Sequence, residues 1–306
     1  MHLAKHSRAA TLWLAACGAI ALAAMWATAA EAIVLPQADG GELVLKSPAQ
    51  RLITLSPHLT ELVFAAGAGH LLAATVAYSD FPPEASELPR VGDAFRIDTE
   101  RVHLLDPDLI LGWQSGNPPA ALSHLTGLGF PLWTVEIRRP GEIADVVEMI
   151  GQATGTLEAA RTAAGDLRRK IEGLERRYAG RNAVSYFYQV SDRPLYTVSG
   201  EHLISRGLAM CGGENVFAGL SGLAPQIGLE AVLVADPQLL IAPRIGGLSD
   251  PLEHWRAWPR LQAVRDEHFL LLPADEISRA TPRFLDSVEL ACAMMDDLRS
   301  AILEPR

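Results

Sequence analysis

Three short segments carry the side chains best suited to holding a ligand. Tyr78-Ser79-Asp80-Phe81-Pro82-Pro83 and Trp113-Gln114-Ser115-Gly116-Asn117 each set an aromatic ring among polar groups, and Asp275 and Arg279 place opposite charges one helical turn apart. Flat aromatic area with polar groups nearby suits a broad planar or corrugated ligand held without bond chemistry. Covalent chemistry has no comparable support. The chain has no Gly-x-x-x-x-Gly-Lys phosphate loop and no Gly-x-Ser-x-Gly nucleophile turn. Gly67-Ala68-Gly69 follows a helical stretch rather than a strand, so it is no dinucleotide loop. His58, His70, His103, His124, His202, His254 and His268 are scattered and form no His-x-x-x-His pair, so no metal site of the protein's own is expected.

These segments are positioned by what precedes them. Short apolar runs rich in Val, Ile and Leu predict strands at 51–55, 73–77, 108–113, 132–136, 183–190, 195–198, 238–242 and 268–272, separated by helical stretches. Ser56-Pro57 reads as a helix start, with Ser as N-cap, and Gly67 as its stop. The class is α/β with mostly parallel sheets. In such sheets ligands collect beyond the carboxyl ends of the strands, where the three segments lie.

A weak internal repeat divides the chain. Glu100-Arg101-Val102-His103-Leu104-Leu105-Asp106-Pro107 echoes Glu230-Ala231-Val232-Leu233-Val234-Ala235-Asp236-Pro237 at a constant offset, and Thr54-Leu55-Ser56 echoes Thr197-Val198-Ser199. Two related lobes follow. Between them, Leu157, Ala160, Ala164, Leu167, Ile171 and Leu174 recur at helical spacing. They predict one helix of about 22–25 residues, roughly 33–37 Å long, stiffer than a loop and unsuited to large hinge closure. A shorter helix is expected just before it, at 142–153.

The N-terminus has Lys5 and Arg8, then no charge from Ala9 to Ala30, ending in Ala27-Thr28-Ala29. This is a secretory leader with cleavage expected near Ala29 or Ala30. A lipoprotein anchor at Cys17 is not expected, because the apolar run before it is very short. The division is a leader at 1–30, a first lobe at 31–141, a helical connector at 142–181 and a second lobe at 182–306. Export leaves two cysteines, Cys211 and Cys292. An oxidising compartment favours a bridge between them, the alternative being two buried thiols. The formal charge of −10, with no basic block, argues against nucleic acid as a partner.

From Arg51 onward the chain resembles the periplasmic cobalamin (vitamin B12) binding proteins that feed ABC importers, within the helical-backbone metal-receptor family. The resemblance is carried by Leu-Ser-Pro-His-Leu-Thr-Glu (55–61), Phe-Ala-Ala-Gly (64–67), the Tyr78 and Trp113 segments, Cys-Gly-Gly-Glu-Asn-Val-Phe (211–217), Pro-Gln-Ile-Gly-Leu-Glu (225–230) and Arg-Ala-Thr-Pro-Arg (279–283). It implies a class III periplasmic binding protein fold, with two lobes joined by a single long helix and the corrin held between them. It implies corrin contacts at Tyr78, Trp113, Asp275 and Arg279, a Cys211–Cys292 disulfide, and Glu100 and Glu230 docking onto the membrane permease of a permease–ATPase complex. The implied protein is a periplasmic monomer and not an enzyme. It needs no cofactor, since the ligand brings its own cobalt.

The chain departs from that pattern at three places. A ligand-contacting Trp of the family aligns with Ala94, where neighbouring Phe95 is the expected substitute. A second-lobe Trp aligns with Ala224, and His58 stands where a small residue is usual. His58 is expected to cap or line the first helix turn rather than reach the cobalt. The alternatives within one architecture are a haem receptor, with Tyr78 or His58 as axial ligand, and a ferric-siderophore receptor. More remote are an exported corrinoid-modifying enzyme and an adhesion module.

Overall fold

The computed structural model describes residues 32–303, so the leader, its cleavage region and Cys17 lie outside the described residues. The first lobe opens with an antiparallel hairpin, β1 (Ile33–Pro36) and β2 (Glu42–Leu45). Its sheet is all parallel and contains β3 (Leu52–Thr54), β4 (Leu72–Ala74), β5 (Leu109–Trp113) and β6 (Leu132–Val135), in the order β4-β3-β5-β6. The second lobe holds β7 (Val184–Tyr188), a small antiparallel pair β8 (Ser191–Asp192) and β9 (Leu195–Tyr196), then β10 (Gly213–Asn215), β11 (Leu239–Arg244) and β12 (Phe269–Pro273). Its sheet runs β10-β7-β11-β12 and is also all parallel. In both sheets the second strand pairs outside the first, and the third and fourth follow on the other side. The lobes therefore share one topology.

The internal repeat is realised residue for residue. Helices Thr99–Leu105 and Leu229–Ala235 end on Asp106 and Asp236, both left-handed with φ of 46° and 42°. Aspartate tolerates that conformation better than most side chains, and the Asp-Pro turn then feeds β5 or β11.

Helix Pro57–Ala65 stops as Gly67 takes a positive φ of 76°. A Cβ there would come within 2.9 Å of Ala159, so glycine also permits close approach of the connector. The connector is a helical pair, Pro140–Thr154 and Leu157–Tyr178. The second has 22 residues and buries Ala160, Ala164, Leu167, Leu174 and Tyr178. Arg168 ties it to the first through Asp145 at 2.8 Å and Glu148 at 2.9 Å. Lys170 reaches Asp286 and Glu289 on the last helix, Phe284–Leu303.

A single apolar cluster runs from Leu35, Leu59 and Leu111 of the first lobe, through Ile150 and Leu167 of the connector, to Tyr186, Phe284 and Val288 of the second. Smaller clusters cover the far face of each sheet. The lobes are thus packed against a shared core rather than strung on a linker. Cys211 and Cys292 form a disulfide that fastens the last helix beside the turn into β10. No helix among the described residues is long and apolar enough to cross a membrane.

One strand expectation needs correction, and one strand was not expected. The run 195–198 supplies only the two-residue β9, which pairs with β8 outside the main sheet. The place beside β7 at the sheet edge is taken by β10, a Gly-Glu-Asn segment whose composition gives no strand signal.

Candidate functional site

The carboxyl ends of both sheets face a cleft between the lobes. The first lobe lines it with Pro57, His58, Trp113 and the segment from Glu136 to Arg138; the second lobe adds His202, Leu203, Leu223 and the segment from Ser278 to Ala280. The volume of this open cleft is about 160 Å³.

Trp113 ends β5, and the turn after it is built around its indole. Asn117, almost fully buried, accepts from the Trp113 backbone N–H at 2.7 Å and donates to the carbonyls of Leu55 at 2.8 Å and Ala94 at 2.9 Å. One amide thereby joins three loops. Gly116 is required because a Cβ would fall 1.9 Å from the indole. The His58 ring meets Trp113 edge to face at 5.0 Å.

The Tyr78 loop is anchored from beneath by buried hydroxyls. Thr75 Oγ1 lies 2.9 Å from Thr54, 2.6 Å from Thr60 and 2.8 Å from Ser79. Tyr78 itself has a positive φ of 65° and is 78% exposed. Phe95 is 73% exposed. Both rings are therefore free to meet a ligand that extends beyond the cleft.

Arg279 is the electrostatic centre. It donates to Glu61 at 3.0 Å, Asp80 at 3.0 Å, Asp275 at 2.8 Å and the Tyr78 carbonyl at 3.1 Å. Burial alone would lower its pKa, but hydrogen bonds to Glu61 and Asp80 and the nearby carboxylates hold it above the ordinary guanidinium value. Arg283 donates to Glu61 at 2.8 and 3.0 Å and stacks on Phe81, 3.9 Å from the ring centroid. Glu61, with 2% of its side chain exposed, belongs to the first lobe, and both arginines belong to the second. The three form a clasp across the cleft floor.

Of the residues singled out in the sequence, Trp113 and Arg279 line the cleft directly. Tyr78 reaches Arg279 through its carbonyl while its ring faces solvent, and Phe95 lies on the loop tied down by Asn117. Asp275 is spent on Arg279. Ser56 is at the expected N-cap position, but its hydroxyl caps no backbone N–H and lies 3.0 Å from His58 Nδ1. His58 lines the cleft and is kept neutral, its pKa pushed down to about 3 by burial and then by the Arg279 charge. His202 was not anticipated as a site residue; burial lowers its pKa to about 4. Its only sequence signal is its place after the Thr197-Val198-Ser199 echo. No group of three or more potential metal ligands occurs among the described residues.

Glu100 and Glu230 are exposed at the first turns of the two equivalent helices, away from the cleft lining. One turn further along each, Leu104 is 82% and Val234 86% exposed.

Residues 52–276 match the periplasmic binding protein family. The chain is 39% identical over 249 residues to the vitamin B12-binding protein of a Vibrio cholerae serotype O1 strain, covering 81% of this chain and 90% of that one. The crystal structure of the periplasmic vitamin B12 binding protein of Vibrio cholerae superposes with a TM-score of 0.75 at 38% identity, over 81% of this chain and 97% of that one. A periplasmic heme-binding protein from Roseiflexus shares the fold, with a TM-score of 0.69 at 23% identity over 81% and 98%.

Proposed function

Because the chain belongs to the periplasmic binding protein family, we propose that it captures cobalamin between its two lobes and delivers it to an ABC importer, without catalysing a reaction. The observation that carries this reading is the charge state of the cleft. Its two cations are outnumbered by carboxylates, Arg279 being bound by three and Arg138 standing 3.6 Å from Glu136, so the lining offers no net positive charge. Haem propionates or siderophore carboxylates would need unpaired cations to replace their hydration. Cobalamin presents a corrin edge fringed with uncharged carboxamides, which asks for apolar area and neutral hydrogen bonds. Trp113 supplies the first inside the cleft, and Tyr78 and Phe95 supply it outside.

The cleft, at about 160 Å³, has room for the rim of a corrinoid disc rather than for the whole of it. A titration with cyanocobalamin beside haemin tests the assignment. Stoichiometric uptake of cyanocobalamin with little haemin binding is expected; the reverse preference would overturn it. Replacing Trp113 with Ala should weaken cyanocobalamin binding by about 1–3 kcal/mol, roughly 5- to 150-fold, through lost apolar burial and lost ring geometry. Calorimetry giving an unchanged affinity would remove Trp113 from the site.

Delivery requires a docking face, and the two lobes offer matching ones. Glu100 with Leu104 and Glu230 with Val234 put a carboxylate and an apolar side chain in equivalent places on each lobe, an arrangement suited to a partner with two-fold symmetry. The exported monomer, freed of its leader at 1–30, would dock through these faces onto the permease–ATPase complex. Combined charge reversal, Glu100→Lys with Glu230→Lys, should leave cobalamin affinity intact and reduce transport at least about tenfold, because rim charges govern association. Unimpaired uptake in reconstituted vesicles would show that these glutamates do not dock.

A further inference from the structure

Each lobe sends one imidazole into the cleft from a corresponding place. His58 is the second residue of helix Pro57–Ala65, which follows β3. His202 is the N-cap of helix Leu203–Ala209, the next helix after β7, the strand equivalent to β3. In both, Nδ1 is occupied by the protein. His202 Nδ1 accepts from the Ile204 backbone N–H at 3.2 Å. A backbone N–H can only donate, so in the neutral ring the proton must sit on Nε2. His58 Nδ1 lies 3.0 Å from Ser56 Oγ. Ser56 is fully buried, and among the described residues its hydroxyl has no other acceptor. A buried donor left unmade is costly, so the hydroxyl proton goes to Nδ1 and the imidazole proton again goes to Nε2. Neither Nε2 has a hydrogen-bond partner among the described residues.

We propose that His58 and His202 are a pair of neutral N–H donors, one per lobe, that recognise carboxamide oxygens on the rim of the ligand and discriminate against carboxylates at the same positions. The inference rests on the cobalamin reading and deepens it to the chemistry of the rim. A neutral N–H satisfies an amide oxygen fully but leaves a desolvated carboxylate without a counter-charge. The cleft carries no excess of positive charge to supply one, since Arg279 is held by three carboxylates and Glu136 stands 3.6 Å from Arg138. The same tautomer excludes His58 as an axial ligand to the metal, because a protonated Nε2 has no lone pair to give.

The test uses the intact mature protein with ¹⁵N-labelled histidine. Long-range ¹H–¹⁵N spectra at pH 6 should show both rings as neutral Nε2–H tautomers, and both Nε2–H signals should move on addition of one equivalent of cyanocobalamin. By calorimetry, His202→Phe should lose about 3- to 10-fold in affinity, and His202→Gln, which keeps a neutral donor, should recover most of it. Wild type should bind a cyanocobalamin derivative with a rim carboxamide hydrolysed to carboxylate at least tenfold more weakly. An Nδ1–H tautomer at either ring, unmoved imidazole signals in a protein that does bind cyanocobalamin, or equal affinity for the carboxylate derivative would overturn the inference alone. A wild-type protein that fails to bind cyanocobalamin at all would overturn the cobalamin reading and the inference with it.

Discussion

Replacing Glu61 with Ala should lower the unfolding free energy by about 3–5 kcal/mol, the usual cost of removing one partner from a buried ion pair and leaving the other charge uncompensated. Glu61 is the most heavily bonded of the groups that join the lobes electrostatically, its carboxylate taking three hydrogen bonds from Arg279 and Arg283 where Asp80 takes one. Arg279 would keep Asp80, Asp275 and the Tyr78 carbonyl, but Arg283 would keep only its stacking on Phe81. The stranded charge is therefore chiefly that of Arg283. Adding Arg283→Met to Glu61→Ala should recover a large part of the loss, because it removes the uncompensated cation and retains an apolar side chain over the Phe81 ring. Urea unfolding of the single and double variants measures both effects. A single variant within 1 kcal/mol of wild type, or a double variant no better than the single, would show that the clasp contributes nothing to joining the lobes.

Glu61 and His58 share helix Pro57–Ala65, and Arg279 lines the same cleft as His58, so the clasp and the ligand site are built on common elements. Loss of Glu61 should therefore weaken ligand capture beyond any effect on the folded fraction.

The contrast between what was readable in the chain and what was not follows from the range of each interaction. The repeat around Glu100 and Glu230 was legible because helix, Asp-Pro turn and strand are each fixed by neighbouring residues. The connector was legible because its apolar residues, Leu157 to Leu174, recur over about five turns. The Trp113 segment pointed to a site because an aromatic followed by a polar turn at the end of a buried strand has few other uses. In contrast, β10 was missed because Gly213-Glu214-Asn215 becomes a strand only through pairing with β7. The run 195–198 misled because its apolar residues serve a local hairpin rather than the main sheet. The β1–β2 hairpin did have a signal, two apolar runs flanking Gly40-Gly41.

The site divides along the same line. Aromatic loops could be named from sequence, whereas the Glu61 clasp joins residues 218 and 222 positions apart and no local pattern announces it. Arg279 was anticipated as a ligand contact, but its charge is committed to the protein. The cleft so neutralised agrees with an uncharged ligand, while the role of Arg279 becomes that of a bridge between the lobes.

The paired histidines also make stability depend on pH in a direction the sequence composition does not suggest. An unfolded histidine titrates near 6.5, while His58 and His202 in the folded protein are held down at about 3 and about 4. Between those values the unfolded chain binds more protons than the native one, so stability rises with pH and falls as pH drops below the unfolded value. From pH 7 to pH 5 each ring that stays neutral in the native state costs about 2 kcal/mol, about 4 kcal/mol for the pair. The size depends on the unfolded pKa and only requires that the native one lie below 5. Urea unfolding at both pH values should show this fall in wild type, about half of it in His58→Gln or His202→Gln, and little of it in the double variant. Equal slopes in wild type and the double variant would show that the rings already carry protons in the native state. The native rings do not titrate between pH 5 and 8, so ligand affinity should stay nearly flat over the range in which stability falls. A receptor built this way loosens in acid without changing what it recognises.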